Sequence, residues 1–494
     1  MFDCKKILCL ILTALFLTAA LISCGEAAAQ NGGSETSGPV VSSETAADYS
    51  ALYPEKPYDF EGYKFRILIN GPGAGDYEQK EIFAETETGE VLNDAVHMRN
   101  VLIEDKYNFK ITVSLSDGWS DLVTKARTSI LTGDDEYDMI MPVISLASSL
   151  AQDKLLTDLN IVPGLYLEAP WWDRNANEQL SIYDKLYFTT GDIGVLDKYC
   201  TLVTFFNKKL IRDYDLENPY ELVNGGAWTQ DKIYDMMKDV SADLNGDGVR
   251  DFSDRWGVLA DGQLMFTLFY GAGEHVTEKA KDGGLEITIL TDRTVNVMNN
   301  VYKFYDKSCV IYAENLKTSF SSVWQAATTL FCENRALFRI CALIFVNEQI
   351  TRESEIDFGV LPTPKYNEEQ EGYYNHVSTI GVPGVCAPVT CGDPERTGVI
   401  ADAMARYAKD TVQNAFYDKI LNNRLIRDTE SSGMLDLICS TASYDLGRIY
   451  NFGGIFDVFG VIAAGSTNFV SECEKRMDKA NAELNKILEM YKGE

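Results

Sequence analysis

A twelve-residue segment, residues 243–254, spaces its oxygen-bearing residues as a cation-binding loop does. Side-chain oxygens stand at positions 1, 3, 5, 9 and 12 and a backbone carbonyl at position 7, supplied by Asp243, Asn245, Asp247, Asp251, Asp254 and Val249. Gly248 occupies position 6, where the sharp turn of a calcium loop needs glycine. Hard oxygen ligands suit calcium better than zinc or copper, so the pattern predicts a structural Ca²⁺ site. Aspartate replaces glutamate at position 12, and the alternative interpretation is a turn held by its own side-chain hydrogen bonds.

A basic, then apolar, then small-residue pattern occupies the start of the chain. Lys5 and Lys6 precede an apolar run over residues 7–22, which closes on a Leu-Ile-Ser-Cys string ending at Cys24. This arrangement resembles the bacterial lipoprotein signal, in which the cysteine is acylated and becomes the new N-terminus. We therefore expect a signal peptide at 1–23, a lipidated Cys24 and a flexible linker over 24–57. The alternative is an uncleaved membrane anchor, although such a span needs about 20 apolar residues.

The composition restricts the classes of function. The chain has 494 residues and a formal charge of −30, which argues against binding to nucleic acid or to an anionic membrane surface. Eight cysteines follow Cys24, and no C-x-x-C pair occurs in the sequence. Three histidines without ligand spacing argue against zinc. Cys386 and Cys391 are close enough in sequence to pair, and the sequence does not decide whether they do.

Sequence motifs of catalysis are missing. The chain contains no G-x-S-x-G, no H-E-x-x-H and no cysteine with an evident histidine partner, so we do not expect an enzyme. Its 74 acidic residues leave a glycosidase carboxylate pair open, and an exported glycoside hydrolase remains an alternative. The glycine-rich stretch 71–75 lacks the third glycine of a dinucleotide fingerprint and favours an ordinary loop.

Alternating strand and helix patterns predict two α/β units. In the first unit we expect strands at 64–69, 110–114 and 137–141, with helices at 91–107 and 119–132. In the second unit we expect a helix at 228–240 with Thr229 as its N-cap, helices at 294–307 and 319–333, and strands at 256–259, 336–341 and 358–364. A strand at 378–383 and helices at 394–409 and 468–491 complete the prediction.

Several strings along residues 60–460 resemble the extracellular solute-binding proteins of ABC importers, in their Gram-positive lipoprotein branch. The strings are Asn93-Asp-Ala-Val-His-Met-Arg-Asn100, Ala169-Pro-Trp-Trp-Asp173, Phe206-Asn-Lys-Lys209, Asn218-Pro-Tyr-Glu-Leu222 and Leu361-Pro-Thr-Pro-Lys365. The resemblance implies an α/β fold of two lobes with a ligand cleft between them and hinge crossings at 203–207 and 358–364. Lobe I would comprise 58–205 and 365–415, lobe II 206–364, and C-terminal helices over 416–494 would pack mainly on lobe II.

Sugar binding requires flat aromatic rings beside polar donors and acceptors. If the implied ligand is a carbohydrate, the residues expected at the cleft are Trp119, Trp172, Asp173, Asp192, Trp256 and Tyr374. Trp119 opens a helix directly after a strand, a position that faces a cleft at strand C-termini. Core packing is the alternative for any single tryptophan, and we expect Trp324, inside a predicted helix, to lie in the core.

The resemblance implies a monomeric, non-catalytic protein on the extracellular face of the cell membrane, attached through lipid alone. It would capture a carbohydrate and deliver it to the permease of an ABC importer. A lipoprotein that senses ligand for a membrane kinase is a further alternative, which this sequence does not separate from transport. Which sugar or other solute it takes is likewise open.

Overall fold

The computed structural model describes residues 58–316, 320, 322–422 and 429–493, without the side chains of 420–422 and 429. The predicted signal peptide, Cys24 and the linker lie outside these residues. Within the described part of the chain, no helix is both long enough and apolar enough to span a bilayer.

A three-stranded parallel sheet in the order β2-β1-β3 forms the centre of the first unit. Its strands are β1 (Tyr63–Asn70), β2 (Phe109–Ser116) and β3 (Met139–Ile140). Helices α1 (Val91–Tyr107) and α2 (Trp119–Thr132) make the crossovers that parallel strands require. Both helices have the predicted bounds. The segment around Cys386 adds backbone bridges at the β3 side, through Ile140.

A five-stranded mixed sheet in the order β10-β4-β9-β5-β8 forms the centre of the second unit. Its strands are β4 (Leu202–Asn207), β5 (Trp256–Ala260), β8 (Val310–Tyr312), β9 (Ala336–Ala342) and β10 (Phe358–Leu361). The short strands outside it are β6 (Thr277–Lys279), β7 (Leu285–Ile287), β11 (Asn375–His376) and β12 (Ala442–Ser443). Strands β5, β8 and β9 run parallel, and they are almost wholly buried, as parallel strands covered by helices should be.

The remaining helices surround these sheets. They are α3 (Ile144–Gln152), α4 (Arg174–Gln179), α5 (Leu196–Tyr199), α6 (Lys208–Asp213), α7 (Pro219–Asn224), α8 (Gln230–Val240), α9 (Leu264–Gly271), α10 (Asp292–Val301), α11 (Val323–Cys332), α12 (Gln349–Glu353), α13 (Pro394–Asp410), α14 (Val412–Asn422), α15 (Thr429–Ser440), α16 (Leu446–Tyr450), α17 (Val458–Ala463) and α18 (Phe469–Lys492). Thr229 caps α8 as predicted, because its side chain accepts a hydrogen bond from the Lys232 amide.

Two strands connect the units, as the hinge prediction requires. Strand β4 leaves the first unit and β10 returns from the second, and they pair antiparallel with Thr204 opposite Leu361. The strand predicted at 378–383 is wrong, because residues 379–381 form a turn in which the Gly381 amide donates to the Ser378 carbonyl. Pro383 has no amide to donate to a ladder, which disfavours a regular strand there.

The C-terminal segment contacts both units. Helix α15 packs on β10 and α17 packs on α9, both in the second unit, whereas α16 packs on α3 of the first. The lobe boundaries therefore stay a prediction. All eight cysteines of the described residues are free thiols, including Cys386 and Cys391.

Candidate functional site

A cavity of about 340 Å³ brings three of the predicted ligand-binding residues together. We call it the hinge-side cavity, because Thr201, directly before β4, lies in its wall. Its principal lining residues are Trp172, Asp173, Asp192, Asp197, Lys198 and Tyr444. One wall comes from residues 172–201 of the first unit, and the other comes from residues 439–444, at the end of α15 and directly after it. Polar groups converging in a concave recess are what a small-molecule site requires.

Local structure fixes the cavity wall at Trp172. Both adjacent indoles donate to the same oxygen of the fully buried Asp402, Trp171 over 3.0 Å and Trp172 over 2.9 Å. Gly191 packs on the Trp172 backbone so closely that a Cβ there would lie 2.6 Å from the Trp171 carbonyl oxygen. Trp172 is only 4% exposed, so most of its ring is covered. Its stacking on a sugar stays a prediction.

Asp173 has a structural position at the cavity. Its side chain caps α4 by accepting from the Ala176 amide, and it also accepts from the Tyr444 hydroxyl over 2.8 Å. A carboxylate at a helix N-cap satisfies an otherwise unpaired amide and interacts favourably with the helix dipole. Asp173 thereby joins the two walls of the cavity.

A buried lysine lies between two carboxylates in the cavity. The Lys198 ammonium is 3.6 Å from Asp192 and 3.4 Å from Asp197. Burial raises the pKa of Asp197 to about 6, against the opposing charge of Lys198. Burial likewise raises the pKa of Asp192. Burial alone would lower the pKa of Lys198, but the charges of Asp197 and Asp192 outweigh it and raise that pKa.

Sequence reasoning missed Asp197, Lys198 and Tyr444 as cavity residues. A signal for the first two was present, since the charged pair interrupts an apolar run from Val195 to Cys200. Charges in such a run are seldom fully buried unless they are paired, and a buried pair marks a polar site inside the fold.

A second group of candidate residues follows the strands of both sheets, and we call the region that they mark the strand-end crevice. It is defined by Tyr77 and Trp119 of the first unit and by Asp261 and Glu314 of the second. Trp119 is the first residue of α2, directly after β2, and its ring centroid lies 5.7 Å from that of Tyr77. Among the described residues, its buried indole N–H has no hydrogen-bond partner. Trp119 begins α2 directly after β2, as predicted, and its contact with a ligand stays a prediction.

The second unit contributes carboxylates to the crevice. Asp261 follows β5 and is 5% exposed, and Glu314 accepts from the adjacent Gly262 amide over 2.9 Å. Burial raises the pKa of Asp261 to about 6, and the charge of Glu314 adds to the shift. Burial is also the main cause that raises the pKa of Tyr77, with the Asp261 charge among the smaller ones. Asp261 and Glu314 thus place two acidic side chains after the strands of the second unit.

The other predicted ligand residues lie elsewhere. Trp256 is 3% exposed, donates to the Asp251 carbonyl and lies under the Arg250 guanidinium at 4.1 Å, which makes it a core residue of the second unit. Tyr374 is exposed and lies against Gly273. Neither residue lines the hinge-side cavity.

The core position predicted for Trp324 is wrong. Helix α11 begins at Val323, so Trp324 falls in its first turn and is 47% exposed. The buried face of α11 is formed instead by Ala327, Leu330 and Phe331. Trp324 therefore offers an exposed indole at the start of α11, a helix that packs on the turn that contains Glu314.

The predicted calcium loop is held by hydrogen bonds from its own backbone. Asp243 accepts from the Gly246 and Gly248 amides, and Asp254 is fully buried and accepts from the Leu244 and Asp251 amides. Both carboxylate oxygens of Asp254, at position 12, thus accept hydrogen bonds from backbone amides. In the described ranges, no three His, Cys, Asp or Glu side chains are arranged to hold a metal ion. Calcium at this loop stays a prediction.

Calcium added to chelator-treated protein should raise the melting temperature if the loop binds it. A ligand that binds only the folded state at 100 times its Kd stabilises it by about 2.7 kcal/mol. Asp247→Ala should abolish the gain, whereas Asp235→Ala, an exposed carboxylate outside the loop, should keep it. Identical melting curves with and without calcium would identify the loop as a turn alone.

The sequence model for "Bacterial extracellular solute-binding protein" matches residues 99–382, more than half of the chain. The chain belongs to this family. Members of this solute-binding family are binding proteins, and their location is extracellular. The resemblance of the sequence strings to this family is thereby confirmed, whereas membership of its Gram-positive lipoprotein branch stays a prediction.

Solved structures show the same two-lobed fold. A cyclo/maltodextrin-binding protein complexed with maltotetraose aligns at TM-score 0.54 and 17% identity, over 86% of this chain and 96% of that chain. UgpB from Mycobacterium tuberculosis in complex with glycerophosphocholine aligns at 0.55 and 14%, over 86% and 99%. An ABC substrate-binding protein from Listeria monocytogenes in complex with cycloalternan aligns at 0.53 and 14%, over 86% and 99%. These likenesses confirm the predicted α/β fold of two lobes.

No curated protein matches the chain. The solute of this family member must therefore be inferred from its own residues.

Proposed function

We propose that this solute-binding protein captures a carbohydrate in the strand-end crevice and delivers it to the permease of an ABC importer. The observation that carries the proposal is that Tyr77 and Trp119 follow strands of the first sheet, whereas Asp261 and Glu314 follow strands of the second. In open α/β sheets, ligands bind outside the carboxyl ends of the strands.

The crevice offers the chemistry that a sugar needs. Carboxylates of Asp261 and Glu314 accept hydrogen bonds from hydroxyl groups, and the unpaired indole N–H of Trp119 donates one. The rings of Tyr77 and Trp119, with the exposed indole of Trp324, supply apolar faces for the sugar ring.

The hinge provides a mechanism for capture. A ligand that touches both lobes binds the closed state better than the open one, so binding shifts the population toward closure. Strands β4 and β10 are the connections about which such closure would occur. A permease that recognises the closed form would then receive only loaded protein.

Replacing Trp119 by alanine should weaken sugar binding about tenfold, equivalent to about 1.4 kcal/mol, without unfolding the protein. A thermal-shift screen against a sugar library identifies the ligand, and calorimetry then measures the Kd of each variant. Trp324→Ala should weaken binding in the same direction. Tyr407→Ala removes an aromatic ring from α13, on the outer side beside α1, and should leave the Kd unchanged.

Three outcomes would contradict the proposal. An unchanged Kd for Trp119→Ala and Trp324→Ala would move the ligand out of the crevice. Release of hydrolysis products from a bound glycan would favour the glycoside hydrolase alternative. Uptake of the sugar by cells that keep the permease but lack this protein would contradict the delivery step.

We also propose that Cys24 carries the lipid anchor that holds the protein at the extracellular face of the membrane. Cys24→Ala should release the protein into the soluble fraction, because acylation requires that thiol. Cys9→Ala, a change inside the expected signal peptide, should leave the protein with the membrane. A Cys24→Ala protein that stays in a detergent-free membrane fraction would place the anchor elsewhere.

A further inference from the structure

We propose that the hinge-side cavity is a second ligand site, distinct from the carbohydrate crevice, that binds the primary ammonium group of a small organic cation such as an amino sugar. Among the described residues, none of the four that define the strand-end crevice lines this cavity. The proposal therefore stands whether or not the crevice binds sugar.

An unpaired acceptor in the cavity is the first observation. Asp197 is 5% exposed, and among the described residues its Oδ1 has no hydrogen-bond partner. Its other oxygen is 3.4 Å from the Lys198 ammonium. A buried acceptor without a donor costs free energy, and a ligand that supplies the donor recovers it.

The charge of the cavity selects the kind of donor. Three carboxylates, those of Asp173, Asp192 and Asp197, line the cavity, and Lys198 is the cation buried among them. Arg174 also lines the cavity but is an exposed residue, so water screens its charge. An ammonium group adds the positive charge that a neutral hydroxyl lacks, and charge-assisted hydrogen bonds are the stronger kind.

An organic cation fits better than a metal ion. In the described residues, no three acidic, histidine or cysteine side chains are arranged to chelate a metal. A cavity of about 340 Å³ has room for a ring-sized molecule. The buried residues Trp172 and Tyr444 give such a molecule apolar contacts beside the carboxylates.

Because the cavity lies beside the hinge, its occupant would influence the arrangement of the two lobes. One wall belongs to the first unit, and the other is formed by the end of α15 and the residues after it. Helix α15 packs on the returning strand β10. An occupant that touches both walls binds one hinge arrangement better than another and shifts the population toward it.

The test compares glucosamine with glucose and N-acetylglucosamine as probes for the full chain in calorimetry. Glucosamine should bind, and the two uncharged sugars should bind at least about tenfold more weakly at this site. Asp197→Asn keeps the shape but removes the charge, and it should abolish the preference for glucosamine. Asp192→Asn changes a more exposed carboxylate and should reduce the preference for glucosamine. This second variant tests the proposal even where Asp197→Asn does not fold.

Acidification provides an independent readout. Because the pKa of Asp197 is raised to about 6, its carboxyl loses charge below that pH while glucosamine stays protonated. Glucosamine affinity should therefore fall between pH 7 and pH 5 in the wild type. It should fall less in Asp197→Asn, in which Asp192, beside Lys198 and Lys409, still has a carboxyl with a raised pKa. Equal affinity for all three sugars, no binding of glucosamine, or a preference that survives in both variants would overturn the proposal. Trp119→Ala should retain glucosamine binding, which separates this site from the crevice.

Discussion

Replacing Asp445 by alanine should lower the free energy of unfolding by about 4 kcal/mol, because several buried donors lose their acceptor together. The carboxylate accepts from the Tyr270 hydroxyl over 2.9 Å, the Val276 amide over 2.6 Å, the Thr277 hydroxyl over 2.8 Å and the Gly447 amide over 2.7 Å. Asp445 is 2% exposed, so water cannot replace these bonds. Chemical denaturation followed by circular dichroism measures the loss.

Matched variants separate this network from a general effect of charge removal. Asp445→Asn keeps the shape and one acceptor oxygen, so it should lose less than Asp445→Ala. Asp478→Ala removes an exposed carboxylate from α18 and should change stability by less than about 0.5 kcal/mol. An Asp445→Ala protein as stable as Asp478→Ala would show that the fold does not depend on this network.

Replacing Asp402 by alanine should cost about 3 kcal/mol and disturb both adjacent tryptophans. Its Oδ1 accepts from the Trp171 and Trp172 indoles and from the Tyr166 amide at 3.1 Å, and its side chain is fully buried. Without it, two indole N–H groups would be left in the interior. We expect a changed tryptophan emission spectrum together with the loss of stability.

Asp402→Asn is the informative control, because its amide oxygen can keep accepting from the indoles. Its loss of stability should be clearly smaller than that of Asp402→Ala. Equal losses for both variants would assign the effect to the negative charge rather than to the hydrogen bonds. The same comparison shows whether the wall of the hinge-side cavity depends on Asp402.

Much of this fold could be predicted from sequence patterns because the bounds of helices and strands depend on interactions between residues that are close in sequence. The bounds of α1 and α2 follow from apolar periodicity, and both helices end at left-handed residues, Asn108 and Gly133. The pattern of a strand followed by a helix predicts that Trp119, the first residue of that helix, lies at the carboxyl end of the strand. The hinge strands β4 and β10 followed from the family resemblance.

The candidate site was less predictable because its contacts are long-range. Asp402 and Trp172 are 230 residues apart, and no periodicity relates them. Likewise, Tyr444 donates a hydrogen bond to Asp173 although the two residues are 271 positions apart in the sequence. The exposure of Trp324 depended on the first residue of α11, and helix starts are the least certain part of a pattern.

The eight free thiols of the described residues bear on how this protein folds. In the described residues no disulfide joins distant parts of the chain, so packing and hydrogen bonds alone maintain the fold there. Folding of the described residues should then require neither an oxidase nor a disulfide isomerase. The unfolded chain, in contrast, exposes thiols that oxygen would cross-link at random. Reversible unfolding of this protein should accordingly require a reductant in the buffer.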